Sequence, residues 1–165
     1  MKRSLLLLAA VLLFAGCHDA SRDPVITGYR VQQVNGMGLG RDGMTADLVL
    51  ELDVDNPSKA RYTVESLQAV LYRNGDTARF AEATLQGSPE IGSGSGQTVL
   101  LPLSLQILRP LALLSGFQRD FDLSQYCADI DLTISKGAFK KRIQKERMPL
   151  DQLKQLLENQ HKESK

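Results

Sequence analysis

The sequence has no tryptophan, only two histidines and two cysteines, and an aromatic content of 5%. Each scarcity removes a class of function. The histidines, His18 and His161, stand near opposite ends of the chain, so a multi-histidine metal centre and a histidine-dependent nucleophile both lack parts. Few aromatics leave little to stack on sugars or bases. The 20 basic and 19 acidic residues nearly cancel, which gives no field of one sign to attract nucleic acid. Most common enzyme chemistries are thereby short of side chains. The expectation is a non-catalytic protein of one domain, with no cofactor, no metal and no nucleic-acid partner.

Long apolar runs are missing too, except at the start. Lys2 and Arg3 precede an unbroken apolar run of 11 residues, 5–15, and then small residues lead to Cys17. A spanning helix needs roughly 18 or more apolar residues, so this run has the layout of a removable secretory leader instead. The segment Phe14-Ala15-Gly16-Cys17 resembles a bacterial lipobox, although Phe14 stands where leucine is commonest. That resemblance implies acylation of Cys17 and cleavage before it. An ordinary secretory cut nearby and an apolar N-terminus that stays attached are the alternatives. Acyl chains contribute about 0.8 kcal/mol per buried methylene, so several on one residue hold a protein at a bilayer.

Residues 1–16 are therefore expected to be a signal peptide, 17–24 a polar lipidated tether, 25–148 the folded domain and 149–165 a helical tail. Cleavage removes Lys2 and Arg3 and no acid, leaving 18 basic against 19 acidic residues. With Cys17 acylated, Cys127 has no internal partner, which excludes a disulfide framework. Cys127 is expected to act as a small buried apolar group, the sharper alternative being a reactive or intermolecular thiol.

The domain reads as strands because apolar residues recur at every second position. Ala46, Leu48, Leu50, Leu52 and Val54 alternate with a largely acidic, wet row. Val99, Leu101, Leu103, Leu105 and Ile107 form a second inward row, and Ala128, Ile130, Leu132 and Ile134 a third. Further strands are expected over 26–34, 62–72, 77–85 and 138–148. Tyr62 and Val64 share one parity while Leu67, Ala69 and Leu71 take the other, which predicts a bulge near Glu65-Ser66. Asn74-Gly75 predicts a tight hairpin turn. Gly92-Ser93-Gly94-Ser95-Gly96 reads as a flexible loop, and Pro102 is expected at a sheet edge or bulge. Arg109-Pro110 opens a short helical stretch. This pattern suggests an all-β, immunoglobulin- or fibronectin-III-like antiparallel β-sandwich with a short C-terminal helix.

The segment Leu48-Val49-Leu50-Glu51-Leu52-Asp53-Val54-Asp55-Asn56-Pro57 is followed by Val64 to Tyr72, Asn74-Gly75 and the glycine-rich loop before Val99. It resembles the type-2 late embryogenesis abundant domain, also called the water-stress and hypersensitive-response domain, over roughly residues 26–134. The resemblance implies a small β-sandwich linked to desiccation and stress tolerance, with no catalytic residues to carry over. It also implies that a bacterial lipoprotein form is ordinary. It leaves the C-terminal tail unexplained.

Other patterns are weaker. Gly38, Gly40 and Gly43 satisfy G-x-G-x-x-G, but a strand pattern follows where a dinucleotide fingerprint needs a helix, so a hairpin loop is expected. Asp53, Asp55 and Asn56, and Asp120, Asp122, Asp129 and Asp131, carry calcium-type oxygens without the spacing of an EF-hand. Lys140, Lys141, Arg142, Lys145 and Arg147 make the last strand basic. They either guard an edge strand against unwanted pairing or contact anionic headgroups or an acidic partner. In the tail, Leu150, Leu153 and Leu157 repeat at helical spacing, for packing on the domain or docking to another protein. The expected partners are a membrane, through the N-terminal lipid, and an envelope protein or lipid. A carrier that holds an apolar ligand between the Leu50, Leu101 and Leu132 rows is the alternative function.

Overall fold

The computed structural model describes residues 24–110 and 123–152. Eight strands run through them: β1 (Val25–Gly40), β2 (Gly43–Asn56), β3 (Tyr62–Arg73), β4 (Arg79–Leu85), β5 (Glu90–Ile91), β6 (Gly94–Ile107), β7 (Tyr126–Lys136) and β8 (Phe139–Pro149). The fold is all-β, and every ladder is antiparallel. The order across the sheet is β1-β2-β6-β4-β3-β7-β8, with β5 paired to the start of β3. Ala83 of β4 faces Ala69 of β3 on one side and Leu105 of β6 on the other, so the ladders continue across β4 without a break.

The inward rows explain the register. Leu48, Leu50 and Leu52 of β2 lie opposite Leu103, Leu101 and Val99 of β6, while Leu67, Ala69 and Leu71 of β3 lie opposite Leu132, Ile130 and Ala128 of β7. Cross-strand partners share a face, so each row meets another of its kind, and a slip by one residue would turn a whole row outward. All these residues belong to one core cluster, in which Leu50, Leu101 and Leu132 have 0% exposure. The two-sided parity of β3 resolves as expected, by a register break between Val64 and Ser66 against β7.

Three expectations are corrected and a fourth is refined. The outward row of β2 is not uniformly wet: Glu51 is buried and ion-paired with Arg30 of β1. Pro102 lies in an interior strand, opposite Val49 on β2. It is tolerated because β4 ends beside it at Leu85, and its carbonyl accepts the N–H of Gln86 at 2.8 Å. A residue's N–H and C=O point to the same side of a strand, so the missing donor faces the place where that ladder runs out. Asn74-Gly75 does form a tight turn between the antiparallel β3 and β4, closed by the Asp76 N–H donating to the Arg73 carbonyl at 2.9 Å, but the strands do not resume at once, since β3 ends at Arg73 and β4 starts at Arg79. Only Gly75 has positive φ, and Asn74 turns its amide to the Ser124 carbonyl at 2.5 Å, tying the loop to the approach of β7. The glycine-rich loop is shorter than its composition suggests, with β6 beginning at Gly94.

The G-x-G-x-x-G stretch is the β1–β2 hairpin, where Gly40 pairs with Gly43. Gly43 has φ +119°, and a Cβ there would lie 2.2 Å from the Ile107 carbonyl oxygen, so glycine serves close backbone packing at this point.

Because neighbours alternate in direction, one end of the sheet gathers the start of β1, the end of β2, the starts of β3, β6 and β8, and the end of β7. The β1–β2 hairpin, the 73–79 loop and the end of β8 lie at the other. Leu150 follows β8 and is buried in the core. The expected helical stretch after Pro110, the tail beyond Gln152, the leader, Cys17 and the rest of the tether through residue 23 lie outside the described residues.

Candidate functional site

The basic strand β8 is an edge of the sheet, and its register divides its cations between two faces. Ile143 is buried opposite Leu132, which puts Lys141 and Lys145 on the core-side face, where Lys145 is exposed. Lys140 and Arg142 take the other face. There Lys140 Nζ reaches Glu65 Oε2 at 2.5 Å, and Arg142 grips both oxygens of Asp131, with Nε at 2.8 Å from Oδ1. The Lys140 hydrogen bond, aided by Ser135, holds the Glu65 carboxyl below its ordinary range, and Arg142 does the same for Asp131, with help from Gln144. Both cations remain more than half exposed, so pairing leaves them facing water.

Arg147 is separate from this group. A bulge in β8 opposite Asp129 gives it φ +50°, its backbone N–H donates to Asp129 Oδ1 at 2.8 Å, and its guanidinium stacks on Tyr72 at 3.8 Å. Burial, followed by the Asp129 hydrogen bond, pushes the Tyr72 hydroxyl above its ordinary range. Cys127 is buried beneath, with Arg147 Nη1 donating to its sulfur at 3.9 Å. The five basic residues singled out from sequence therefore do not form one patch. Arg147 lies at the far end, while Lys140 and Lys141 follow the β7–β8 hairpin.

That hairpin carries a residue the sequence reading passed over. Lys136 pairs with Phe139 across the two-residue turn Gly137-Ala138, and Phe139 is 83% exposed. The signal was present in sequence as an aromatic after a glycine turn with lysines on both sides. The same end of the sheet presents exposed Lys59 and Arg61 in the β2–β3 connection and the point where the chain enters β1 from Pro24.

Of the calcium-type residues, Asp120 and Asp122 lie outside the described residues, and most of the others are engaged in holding strands and loops together. Asn56, at 0% exposure, donates to the carbonyls of Ala60 (2.9 Å) and Gly92 (2.6 Å) and accepts from the Ser58 N–H and hydroxyl. Asp131 and Asp129 serve β8, and Asp55 Oδ1 is buried with no partner among the described residues. No three His, Cys, Asp or Glu side chains come together among the described residues as a metal cluster. An open groove of about 340 Å³ lies on the outward face between Asn35, Asp47, Gln86, Pro102 and Ser104.

No family model matches the chain, and no curated protein matches it. Among solved structures, a protein from Archaeoglobus fulgidus is similar at 14% identity and a TM-score of 0.41, covering 70% of this chain and 91% of the other. The solution structure of a candidate late embryogenesis abundant (LEA) protein is similar at 22% identity and a TM-score of 0.39, covering 88% of this chain and 83% of the other.

Proposed function

We propose that the chain is a membrane-tethered, non-catalytic envelope lipoprotein, anchored through an acylated Cys17, whose β-domain serves as an interaction or stress-protection module. The observation that carries this reading is the closure of the three inward rows on one another. Leu50, Leu101 and Leu132, which a carrier would need around a ligand, have 0% exposure, so no space large enough for a water molecule adjoins them. The apolar interior is given to stability, and on the surface Lys140 with Glu65 and Arg142 with Asp131 pair across strands. The resemblance to the type-2 late embryogenesis abundant domain supports the stress-protection side. Asn56, with which the most specific element of that resemblance ends before Pro57, acts here as a structural staple between two loops.

The test is a cross-linked pull-down of the mature protein from its own envelope, with mass analysis of residue 17. An acylated residue 17 and one protein recovered in stoichiometric amount are the expected results. An unmodified thiol would remove the anchor, and extracted lipid recovered without protein would replace the interaction reading by a carrier.

A further inference from the structure

We infer that the end of the sheet carrying the β7–β8 hairpin is a membrane-facing surface, with Phe139 seated in the interface of an anionic bilayer and the surrounding lysines and arginine on its headgroups. This rests on the proposal that the chain is held at a membrane from its N-terminal side.

Three observations converge. The first is topological: β1 starts at the same end of the sheet at which β7 turns into β8, although at the opposite margin, so the point where the chain enters the domain and the Phe139 hairpin share one end. Seven peptide steps separate residue 17 from Pro24 and can span at most about 25 Å. A bilayer anchor at residue 17 therefore holds the start of β1 within about 25 Å of the headgroups, whereas the β1–β2 hairpin, 16 residues of strand farther on, is not held there. The second is the exposed aromatic itself. Phe139 directly follows the two-residue turn Gly137-Ala138, little among the described residues covers it, and its 83% exposure leaves the ring ready for an interfacial environment. The third is charge. Lys59, Arg61, Lys136 and Lys140 are exposed around this end. Lys140 is paired with Glu65, and with exposed Glu90 and half-buried Asp55 counted the cations keep a small excess, which suits anionic headgroups. Lys136 also lies over the Tyr62 ring at 5.2 Å. The other end exposes more apolar surface, Leu39 at 81%, Met37 at 68% and Val34 at 52%, but beside Arg41 and Asp42, whose charges cancel, so charge and the chain's point of entry, not apolar exposure, distinguish the two ends.

The absence of tryptophan makes the test direct. Phe139→Trp and, separately, Leu39→Trp are made in the full chain, purified from membranes and reconstituted into phosphatidylethanolamine–phosphatidylglycerol vesicles containing brominated lipid. Indole emission from the Phe139→Trp chain is expected to move to the blue and to be quenched several-fold more strongly than that from the Leu39→Trp chain. The difference should shrink in phosphatidylcholine vesicles and in a Lys59→Glu/Arg61→Glu background. Equal, water-like emission from both variants would overturn the inference, as would a blue-shifted Phe139→Trp signal that brominated lipid does not quench. Quenching indifferent to lipid charge and to the double substitution would overturn the headgroup contact. Whether residue 17 is acylated or an apolar leader stays attached, the chain is held by the same side, so the comparison can be read in either case. The mass of residue 17 decides the anchor separately.

Discussion

Asn56 shows how much one polar side chain can decide. Fully buried, it meets two carbonyls with its amide and two Ser58 donors with its oxygen, joining the β2–β3 turn to the β5–β6 loop. Asn56→Ala leaves the Ala60 carbonyl without that donor and is expected to cost roughly 2–3 kcal/mol, read from urea unfolding. Asn56→Asp keeps the shape but sets a carboxylate against two carbonyls. It should be at least as damaging at neutral pH and should recover part of the loss as acid protonates the new group. Surface carboxylates give a second pH signature. Glu65 and Asp131 titrate below their ordinary values of 4.5 and 3.8 in the folded chain, so the folded state takes up protons less readily than the unfolded one. Their contribution is complete above those ordinary values and is lost as pH falls through the lower folded ones. Arg142→Ala should flatten the acid side of a stability profile measured from neutral pH to about pH 3. An unchanged slope would mean that Asp131 gains nothing from its partner.

At the scale of elements, the two edges of the sheet are protected in different ways. β8 presents Lys141 and Lys145 on its core-side face, next to buried Ile143, where a greasy strand would invite pairing with another chain. β1 has no charged residue from Val31 to Gly40, but its register against β2 breaks three times. Bulges bend an edge so that a straight partner cannot add to it. Lys141→Val with Lys145→Val is therefore expected to increase self-association of the domain, visible by sedimentation. The elements were legible where a hydrophobic period ran long enough: the three inward rows and the parity change at Glu65-Ser66 could be read directly. Within the 73–79 loop the Asn74-Gly75 turn could be read, but the loop's full length could not, because its shape also depends on Asn74 meeting Ser124, a residue distant in the chain. Pro102 misled for a related reason, since its tolerance depends on where β4 stops, which no local pattern reveals.

For the molecule as a whole, strand order was beyond the reach of the sequence. Rows of equal period do not say which row neighbours which, and nothing local places β4 between β6 and β3. The candidate site was split in the same way: the basic composition of β8 was visible, but the separation of Arg147 from Lys140 and the presence of the chain's point of entry and Phe139 at one end of the sheet follow only from the topology. The core joins residues far apart in the chain, Leu50 with Leu101 and Leu67 with Leu132, so loops must close before burial rewards them. Refolding by stopped flow is expected on a scale of milliseconds to seconds, and microsecond folding would contradict this order of strands. Leu50→Asp should abolish folding altogether by placing an unpaired charge in the core, and a normal melting curve for it would refute the inward assignment of β2.

β1 and β8 run in the same direction at opposite margins of the sheet, so the chain enters at one end and leaves β8 at the other. If the leading segment is fixed and something pulls on the trailing one, the tension runs along the strands and across the inter-strand hydrogen bonds. Those bonds are then sheared together instead of being unzipped in turn. Such a domain resists being stretched between its two attachments and is well shaped to act as a stiff mechanical strut.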